Sequence, residues 1–391
     1  MDIKQSIRNY LKRSKLLRKL VQSARIIKSR HFNKIIIIEG KELHSQQLLT
    51  VLFSGDDNNM YYVIDTLFGD SEIQMHKSDI WPTRVWRYAQ RSNAKHDLAI
   101  IQADTIPHEI KSANKAFILP NWIGGVKDLN QGIQLAAQDS QIKSDIRRIK
   151  KNRLGYRVSN EEKDFDRFYY EMYLPYIKKI YGNFAFLMTH EEMVATLPQC
   201  KLFLITQDGE DIAGGIHVYD GTKQVRAWSI GVKDGDREWV KMGALSALEY
   251  FETVYLLEKG YLRLHRGASR PFLNDGVLRF KLKRGMAITN HTERSLVLLP
   301  LKNTPGVCEF LQNNPFLYVD GEELHGAIFI SSDTPCNQDV ADSLYKKWFA
   351  SDAVNLNIFS IMGSGDSGGF IRPCGRINTL ASGVGAVHIL R

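Results

Sequence analysis

Residues 202–232 read LFLITQDGEDIAGGIHVYDGTKQVRAWSIGV, which is three apolar runs joined by two Asp-Gly pairs. An Asp-Gly pair between such runs favours a tight hairpin, because both central residues of that turn adopt positive φ. The runs at 202–207, 212–219 and 224–232 are therefore predicted to be the strands of an antiparallel meander.

The chain around the meander alternates between helix and strand patterns. Residues 239–259 carry apolar side chains at helical spacing, and Gly260 stands where a C-terminal cap is preferred. Residues 261–266 return as a strand-like run. Upstream, two capping boxes predict helices near 161–180 and 190–197. The predicted order is two helices, three strands, a helix and a strand, which indicates an α/β fold.

Residues 267–285 read GASRPFLNDGVLRFKLKRG and follow the last predicted strand directly. They place Asp275, Lys281 and several arginines between glycines and apolar residues. A loop at the end of a strand is where a rigid scaffold commonly presents chemical groups. We therefore predict a functional site in this loop.

Several short motifs resemble the FemAB-like branch of the GNAT acyltransferase superfamily. They are Phe168-Tyr169 with Tyr173-x-Pro175, Gly214-Gly215, Lys241-Met-Gly-Ala, and Asn274-Asp-Gly-Val-Leu-Arg-Phe-Lys281 with Gly285. The resemblance covers about residues 144–287 and implies tandem GNAT-like lobes with a mixed central sheet flanked by helices. It implies a degenerate lobe at 31–140 and an acyltransferase lobe at 141–294. The charge and the local patterns of the chain add a basic amphipathic helix at 1–30 and an appended α/β segment at 295–391.

The resemblance implies transfer of an acyl group, expected to be acetyl, from acyl-CoA to an amine. In such a fold, main-chain N–H groups at the end of the splayed central strand stabilise the negative carbonyl oxygen. Ile230, Gly231 and Val232 occupy that place. N–H groups at the start of the following helix bind the pyrophosphate of the donor. The matching residues are Lys241, Met242, Gly243 and Ala244.

One departure from the GNAT pattern concerns the donor. The usual phosphate loop has Arg or Gln three residues before its first Gly and Gly or Ala two residues after it, whereas this chain has Val240 and Leu245. Lys233, Arg237 and Lys241 supply positive charge nearby. Some members of the FemAB-like branch take the acyl group from aminoacyl-tRNA, so charged tRNA is the alternative donor.

Three side chains are predicted to take part in catalysis. The resemblance places Lys281 close to the acyl carbonyl, and Asp275 would orient Lys281 or the incoming amine. The alternative is that Lys281 and Arg284 form ordinary ion pairs with Asp275. His265 is predicted to point away from the main apolar layer and to accept a proton from the amine. A partly buried, hydrogen-bonded histidine is the alternative for that residue.

Positive charge is concentrated at the start of the chain. Residues 1–30 hold ten Lys or Arg and one acid; the whole chain has 52 basic and 43 acidic residues, so the remainder has 42 of each. Apolar residues at helical spacing predict a helix that binds an anionic membrane surface or packs on the body. RNA binding and a transit peptide are alternatives, although a neutral body offers no broad basic groove.

Other classes of site are disfavoured by the sequence. The four cysteines are too widely spaced for a CxxC metal site, so reduced thiols and no structural metal are expected. Residues 363–369 contain a G-x-G-x-x-G match and a Gly-Asp-Ser-Gly-Gly string. We interpret them as a Gly-rich turn rather than a dinucleotide site or a protease nucleophile.

The predicted acceptor is an amine on a sugar, a cell-envelope precursor (as in polysaccharide biosynthesis) or a peptide. The expected location is cytoplasmic, with peripheral attachment to the inner membrane face as an option, because no apolar stretch near the start approaches the roughly 20 residues that span a bilayer. A non-catalytic adaptor on a membrane surface is a third class of function. Pockets that select an acceptor combine residues distant in sequence, so the acceptor itself stays open.

Overall fold

The computed structural model describes residues 33–391 apart from 81, 92–94, 105, 107–115, 131–139, 182–186, 291–293, 349–353, 363–369, 378–386 and 390–391. The helix predicted at 1–30 and the Gly-rich turn at 363–369 lie outside the described residues. In the described part, the strands form three mixed sheets flanked by helices. Each sheet contains one parallel pair of strands. The predicted α/β class is confirmed.

The first part of the chain forms most of the first sheet and two strands of the second. They are β1 (Asn33–Glu42), β2 (Leu48–Ser54), α1 (Asp57–Leu67), β3 (Phe68–Ile80), α2 (Pro82–Arg91), β4 (Leu98–Ala103), β5 (Phe117–Pro120), β6 (Ile123–Asp128), α3 (Ser140–Lys151) and β7 (Leu154–Ser159).

The middle of the chain contains the predicted meander. Its elements are α4 (Glu162–Arg167), a π-helix (Phe168–Tyr173), α5 (Leu174–Tyr181), α6 (His190–Val194), β8 (Cys200–Gln207), β9 (Glu210–Tyr219), β10 (Gln224–Val232), α7 (Arg237–Met242), α8 (Ala244–Glu258), β11 (Arg263–Arg266), α9 (Gly276–Leu282) and β12 (Met286–Asn290).

The last elements complete the first sheet and form the third. They are β13 (Ser295–Pro300), α10 (Pro305–Asn313), β14 (Phe316–Asp320), β15 (Glu323–Ser331), α11 (Gln338–Trp348), β16 (Asn355–Ile361), β17 (Ile371–Ile377) and β18 (Val387–Ile389). Among the described helices, none combines the length and the apolar character that crossing a bilayer requires.

The first sheet has the strand order β3-β1-β2-β4-β13-β5. Ile36 and Ile38 of β1 belong to one apolar cluster, whereas Ile35 and Ile37 belong to another, and all four are buried. Since successive side chains of a strand point to opposite faces, both faces of this sheet are covered. The third sheet has the order β14-β15-β16-β17-β18 and shares the first of these clusters.

The second sheet has the strand order β12-β6-β11-β10-β9-β8-β7. Strands β8, β9 and β10 are the predicted antiparallel meander, with turns at Asp208-Gly209 and Asp220-Gly221. Helix α8 packs on one face through Ala247 and Leu248, and the π-helix packs on the other face. The chain runs from β10 through α7 and α8 to the parallel strand β11. These two helices therefore form the crossover between two neighbouring strands in the middle of the sheet.

Two predicted helices differ from the observed ones. The helix expected at 239–259 is divided into α7 and α8, because Gly243 has a φ of 101° and takes the left-handed conformation that interrupts a helix. The helix expected at 161–180 begins as α4, widens into the π-helix and continues as α5.

Two strands cross the predicted domain boundaries. Strand β6 comes before residue 140, yet it lies between β11 and β12 in the second sheet. Strand β13 comes after residue 294, yet it lies between β4 and β5 in the first sheet. The sheets therefore exchange strands across the boundaries at 140 and 294.

Candidate active site

A gap between β10 and β11 is the central feature of the second sheet. The two strands pair in parallel only between residues 224–227 and 263–266. Strand β10 then continues to Val232, whereas β11 ends. A bulge follows Ala227, at the point where the strands separate. In the described part of the chain, residues 229–232 thus have a strand partner on the β9 side alone, and Trp228 lies in the bulge.

The predicted oxyanion residues Ile230, Gly231 and Val232 lie along this gap. All three pair with β9 on one side. Main-chain N–H groups alternate in direction along a strand, so part of this edge directs its donors towards the gap. Ile230 is 36% exposed although it is large and apolar. Its neighbours Gly231 and Val232 are buried, so solvent reaches this edge at Ile230, and the binding of a donor carbonyl in the gap stays a prediction.

The π-helix closes one face of the gap. A Cβ atom at Gly231 would lie 2.6 Å from the carbonyl carbon of Met172 and 2.6 Å from the main-chain nitrogen of Tyr173. Tyr173 is itself fixed, because its hydroxyl accepts a hydrogen bond from the Met188 N–H at 2.9 Å. π-Helical turns are frequent at functional sites. The aromatic motif at 168–175 thus packs directly on the predicted oxyanion strand.

The residues predicted to bind phosphate do not open one helix. Lys241 and Met242 end α7, and the N–H of Gly243 already donates to the carbonyl of Val240 at 3.0 Å. Ala244 is the first residue of α8. The prediction that a helix starts with all four residues is corrected, because the left-handed Gly243 separates two helices. Donor binding at the α8 start stays a prediction.

An arginine that the sequence patterns did not indicate lies beside the start of α8. The Cδ atom of Arg148, in α3, is 2.9 Å from an ideal Cβ position on Gly243. Its guanidinium is 3.7 Å from Asp145, and its side chain is 42% exposed. A partly exposed cation next to a helix start is an arrangement that suits phosphate groups.

Lys281 directs its ammonium group to the main chain after β11. Its Nζ lies 3.0 Å from the Arg266 carbonyl oxygen, 2.8 Å from that of Gly267, 3.0 Å from that of Ala268 and 3.0 Å from Ser269 Oγ. Three N–H donors are fully used by four such acceptors. Burial and the charge of Arg266 lower the pKa of Lys281 to about 8, so it stays protonated at neutral pH. Its donors hold this loop, and the contact of Lys281 with an acyl carbonyl stays a prediction.

Asp275 caps α9, since its Oδ1 accepts the N–H of Leu278 at 2.8 Å. Burial raises the pKa of this carboxyl group. Asp275 forms no ion pair with Lys281 or Arg284, and Arg284 instead contacts Asp145 at 2.8 Å. The alternative of ion pairs at Asp275 is therefore wrong, whereas the orientation of Lys281 by Asp275 stays a prediction. Orientation of an incoming amine by Asp275 stays a prediction.

His265 lies on the face of β11 opposite the buried Leu264, as predicted. Its Nε2 is 2.6 Å from Oε1 of Gln224, which can only accept a hydrogen bond. The tautomer with the proton on Nε2 satisfies this contact. His265 directly precedes Arg266, the last residue of β11 paired with β10. This position beside the gap suits a base, and that role stays a prediction.

A buried charge network, which the sequence patterns did not indicate, lies on the α8 side of the sheet. Glu249 contacts Lys127 at 3.2 Å, Arg266 at 3.2 Å and Arg284 at 2.8 Å. Lys127 also donates to Thr253 at 3.1 Å. Four elements, β6, β11, α8 and the turn after α9, are joined by these contacts. Burial lowers the pKa of Lys127, and Glu249 opposes that effect.

Glu252 is the second acid of this network. It pairs with Arg266 and lies 2.6 Å from Nε2 of His217, and its side chain is 2% exposed. Although burial opposes it, Arg266 and His217 hold the pKa of the Glu252 carboxyl below its ordinary value. Glu249 and Glu252 are three residues apart in a helix that is otherwise mostly apolar. Residues three apart lie on the same face of a helix, so both carboxylates are on the buried face. Two acids at this spacing in an apolar helix are the sequence signal that would have predicted the charge network.

No group of His, Cys, Asp and Glu side chains within the described residues has the composition of a metal site.

No family model matches the chain, and no curated protein matches it.

Several solved structures are similar to this chain at low identity. L-PGS from Bacillus licheniformis is 12% identical with a TM-score of 0.33, and the match covers 69% of this chain and 82% of that one. FemX is 11% identical with a TM-score of 0.34, covering 69% and 89%. A tandem GNAT protein from the clavulanic acid biosynthesis pathway is 10% identical with a TM-score of 0.28, covering 66% and 81%. At these values, a function for this chain depends on its own geometry.

Proposed function

We propose that this protein is an N-acyltransferase that moves an acyl group from an acyl-CoA thioester to an amine on a sugar, a cell-envelope precursor or a peptide. The observation that carries the proposal is the gap between β10 and β11. Residues 228–232 border it with a strand edge that lacks a partner on that side, between the π-helix on one face and α8 on the other.

The proposed reaction uses this edge to stabilise charge. The donor carbonyl lies in the gap, and N–H groups of residues 228–232 bind its oxygen as the amine attacks. Losing one such donor typically costs about a hundredfold or more in rate. His265 accepts the proton from the amine, a step that contributes about 10² to 10⁴ in rate. The CoA thiolate leaves. Lys281 acts indirectly, by holding the main chain that borders the gap after β11.

Acyl-CoA is the preferred donor because Arg148, a cation, lies next to the start of helix α8. Arg148 stands beside the start of α8, whose dipole favours negative charge, so a pyrophosphate has partners there. Aminoacyl-tRNA is the second candidate. The observation that favours it is the N–H of Gly243, which is used within the protein and is lost as a phosphate donor.

The test is release of free thiol from acetyl-CoA and longer acyl-CoAs, followed with a thiol reagent in the presence of a panel of amines. We expect release that depends on both the thioester and the amine. A parallel reaction with charged tRNA measures acyl transfer to the same amines. Transfer from tRNA without any from acyl-CoA would replace the preferred donor, and transfer from neither would overturn the acyltransferase proposal.

A pair of variants on β11 tests the proposed base. His265→Gln keeps a side chain that hydrogen-bonds Gln224 and removes the imidazole, so we expect the rate to fall by about 10² to 10⁴. The control Arg263→Gln changes an exposed residue on the same strand face and should leave the rate within about twofold, as surface changes usually do. Equal rates for both variants would remove His265 from the mechanism.

A further inference from the structure

Arg270 lies in the loop after β11 and is 8% exposed, which makes it a buried cation. Its guanidinium is stacked between two aromatic rings, with Cζ 3.8 Å from the centre of the Trp122 ring and 4.3 Å from that of the Tyr62 ring. Rings on both faces fix the plane of the guanidinium and leave its edges as the positions for hydrogen bonds.

One edge of this guanidinium is used by the protein. Nη1 donates to Oδ1 of Asn59 at 2.6 Å and to Oδ1 of Asn121 at 3.4 Å. Within the described residues, Nε and Nη2 have no protein partner, and neither atom is sealed from solvent. These two nitrogens form the side of an arginine that binds both oxygens of a carboxylate or two oxygens of a phosphate.

No carboxylate of the described chain forms a direct ion pair with Arg270. None lies within 4.0 Å of the Arg270 guanidinium. Asp56 and Asp275 are the nearby acids, and each caps a helix, α1 and α9 respectively. Burial lowers the pKa of Arg270, as expected for a cation with little solvent and no ion pair. A buried cation whose nearest carboxylates lie beyond 4.0 Å is only partly compensated, so this position favours an anion that binds the free edge directly.

The position links Arg270 to the proposed reaction. It is four residues beyond Arg266, where the pairing of β10 and β11 ends, so it lies within about 14 Å of that point even for an extended chain. Ser269 fixes the loop between them, because it pairs with Ile123 through two main-chain hydrogen bonds of 2.8 Å and contacts Lys281. Trp122, which covers the guanidinium, is 38% exposed, so the site opens to solvent.

We propose that Arg270 binds a carboxylate or phosphate group of the acceptor, with Nε and Nη2 as the donors and Trp122 and Tyr62 as the walls. The acceptor is thus an amine that also carries an anionic group. The binding of an anion stands on the contacts of Arg270 alone, whereas the assignment of that anion to the acceptor rests on the proposed acyltransferase function.

The first test observes Trp122 in the intact protein. The chain has six tryptophans, so protein labelled with 5-fluorotryptophan gives separable fluorine NMR signals, and Trp122→Phe identifies the one from Trp122. Acetate and methyl phosphate are titrated at constant ionic strength against sodium chloride. We expect a saturable shift of the Trp122 signal with at least one of the two probes, and the responsive probe tells carboxylate from phosphate. No shift with either, or an equal shift with chloride, would overturn the proposal.

A matched pair of variants tests the arginine. Arg270→Gln should weaken binding of the responsive probe by about tenfold to a hundredfold, the loss expected for a charge-assisted pair. Arg279→Gln, which removes a half-buried arginine stacked on Trp348 in the same region, should leave it unchanged. Equal loss in both variants would overturn the assignment to Arg270. If Arg270→Gln does not fold, the titration of the unaltered protein decides.

The last test separates the anion site from the reaction. With an anionic amine as acceptor, Arg270→Lys should raise its KM about tenfold or more and leave the KM of the donor unchanged, because lysine keeps the charge and loses the two-nitrogen edge. An unchanged acceptor KM together with probe binding would overturn the acceptor assignment alone. Probe binding without any acyl transfer would overturn the proposed function and leave the anion site standing.

Discussion

Lys281 holds the main chain after β11, since three carbonyl oxygens and one hydroxyl lie within 3.0 Å of its Nζ. The lysine therefore satisfies carbonyl groups of this loop through its side chain. The motif around Lys281 predicted a catalytic lysine beside a strand end, and that role stays a prediction. Which oxygens the ammonium group contacts depended on how α9 packs against residues 266–269.

Replacing Lys281 tests whether its contacts with the loop stabilise the protein. We expect Lys281→Met to lower the free energy of unfolding by about 2 kcal/mol, because acceptors in a partly buried loop lose a charged donor. Lys283→Met is the control, since Lys283 is exposed and should change stability by no more than about 0.5 kcal/mol. Urea denaturation measures both variants. Equal effects would show that the four contacts of Lys281 contribute little to stability.

Asp164 provides a prediction about acid. Hydrogen bonds from Arg157, against the opposing effect of burial, lower its pKa from 3.8 to about 2. The unfolded chain therefore binds this proton at higher pH than the folded protein does, so the contribution to stability is present above about pH 4 and is lost as the pH falls towards 2.

Asp164→Asn should reduce stability at pH 7 by about 1 to 2 kcal/mol, with the difference from the unaltered protein shrinking between pH 4 and 2. Urea unfolding at several pH values in this range measures the difference. Glu162→Gln, an exposed change in the same helix, is the control. A difference that stays constant from pH 7 to pH 2 would contradict the assigned pKa shift.

At the scale of elements, the absence of a side chain at glycine allows β10 and the π-helix to pack closely against each other. Gly231 faces the main chain of residues 172–173 and Gly235 faces that of Pro175, with no room for a Cβ at either position. This close approach is what places the aromatic motif of residues 168–175 against the strand that borders the gap. It explains why glycine follows the exposed Ile230.

Gly231→Ala should separate the π-helix from β10. The added carbon would lie 2.6 Å from two main-chain atoms, so we expect a loss of about 3 kcal/mol, at the upper end of overpacking effects. Gly276→Ala is the control, because a Cβ there meets no atom within 4 Å. Thermal unfolding compares the two variants. A Gly231→Ala protein as stable as the control would contradict the observed packing.

At the scale of the whole molecule, the sheets are joined by exchanged strands and by the loop that carries Arg270. Strand β6 connects the first sheet to the second, and β13 returns to the first. The main-chain N–H groups of Leu273 and Leu317 each donate a hydrogen bond of 2.7 Å, and these two bonds join the loop after β11 to the start of the third sheet. The segments predicted as separate lobes are therefore interdependent.

A fragment of residues 141–294 tests this dependence. It lacks β6, which leaves β11 and β12 without the strand between them, so we expect no cooperative unfolding transition and a tendency to associate through the open edges. The fragment 121–294 contains β6 and is the control, with a clearer transition expected. Urea unfolding and gel filtration measure both. Equally cooperative transitions would show that β6 is dispensable.

The amino-acid sequence by itself determined the meander, the helical crossover after it and the α/β class, because Asp-Gly turns and apolar periodicity act between near neighbours. It also indicated that the loop after β11 and His265 beside it were places to look for chemistry. The break between α7 and α8 depended on the conformation of a single glycine, Gly243, within an otherwise helical pattern.

The tertiary structure alone decided the exchanged strands, the charge network around Glu249 and the cage around Arg270. These features join residues far apart along the chain: Arg270 and Asn59 are separated by 211 positions. Local patterns carry no information about which distant side chains meet, and a buried charge is tolerated only where such partners converge. The chain therefore encoded its elements locally, whereas its candidate site was created by their packing.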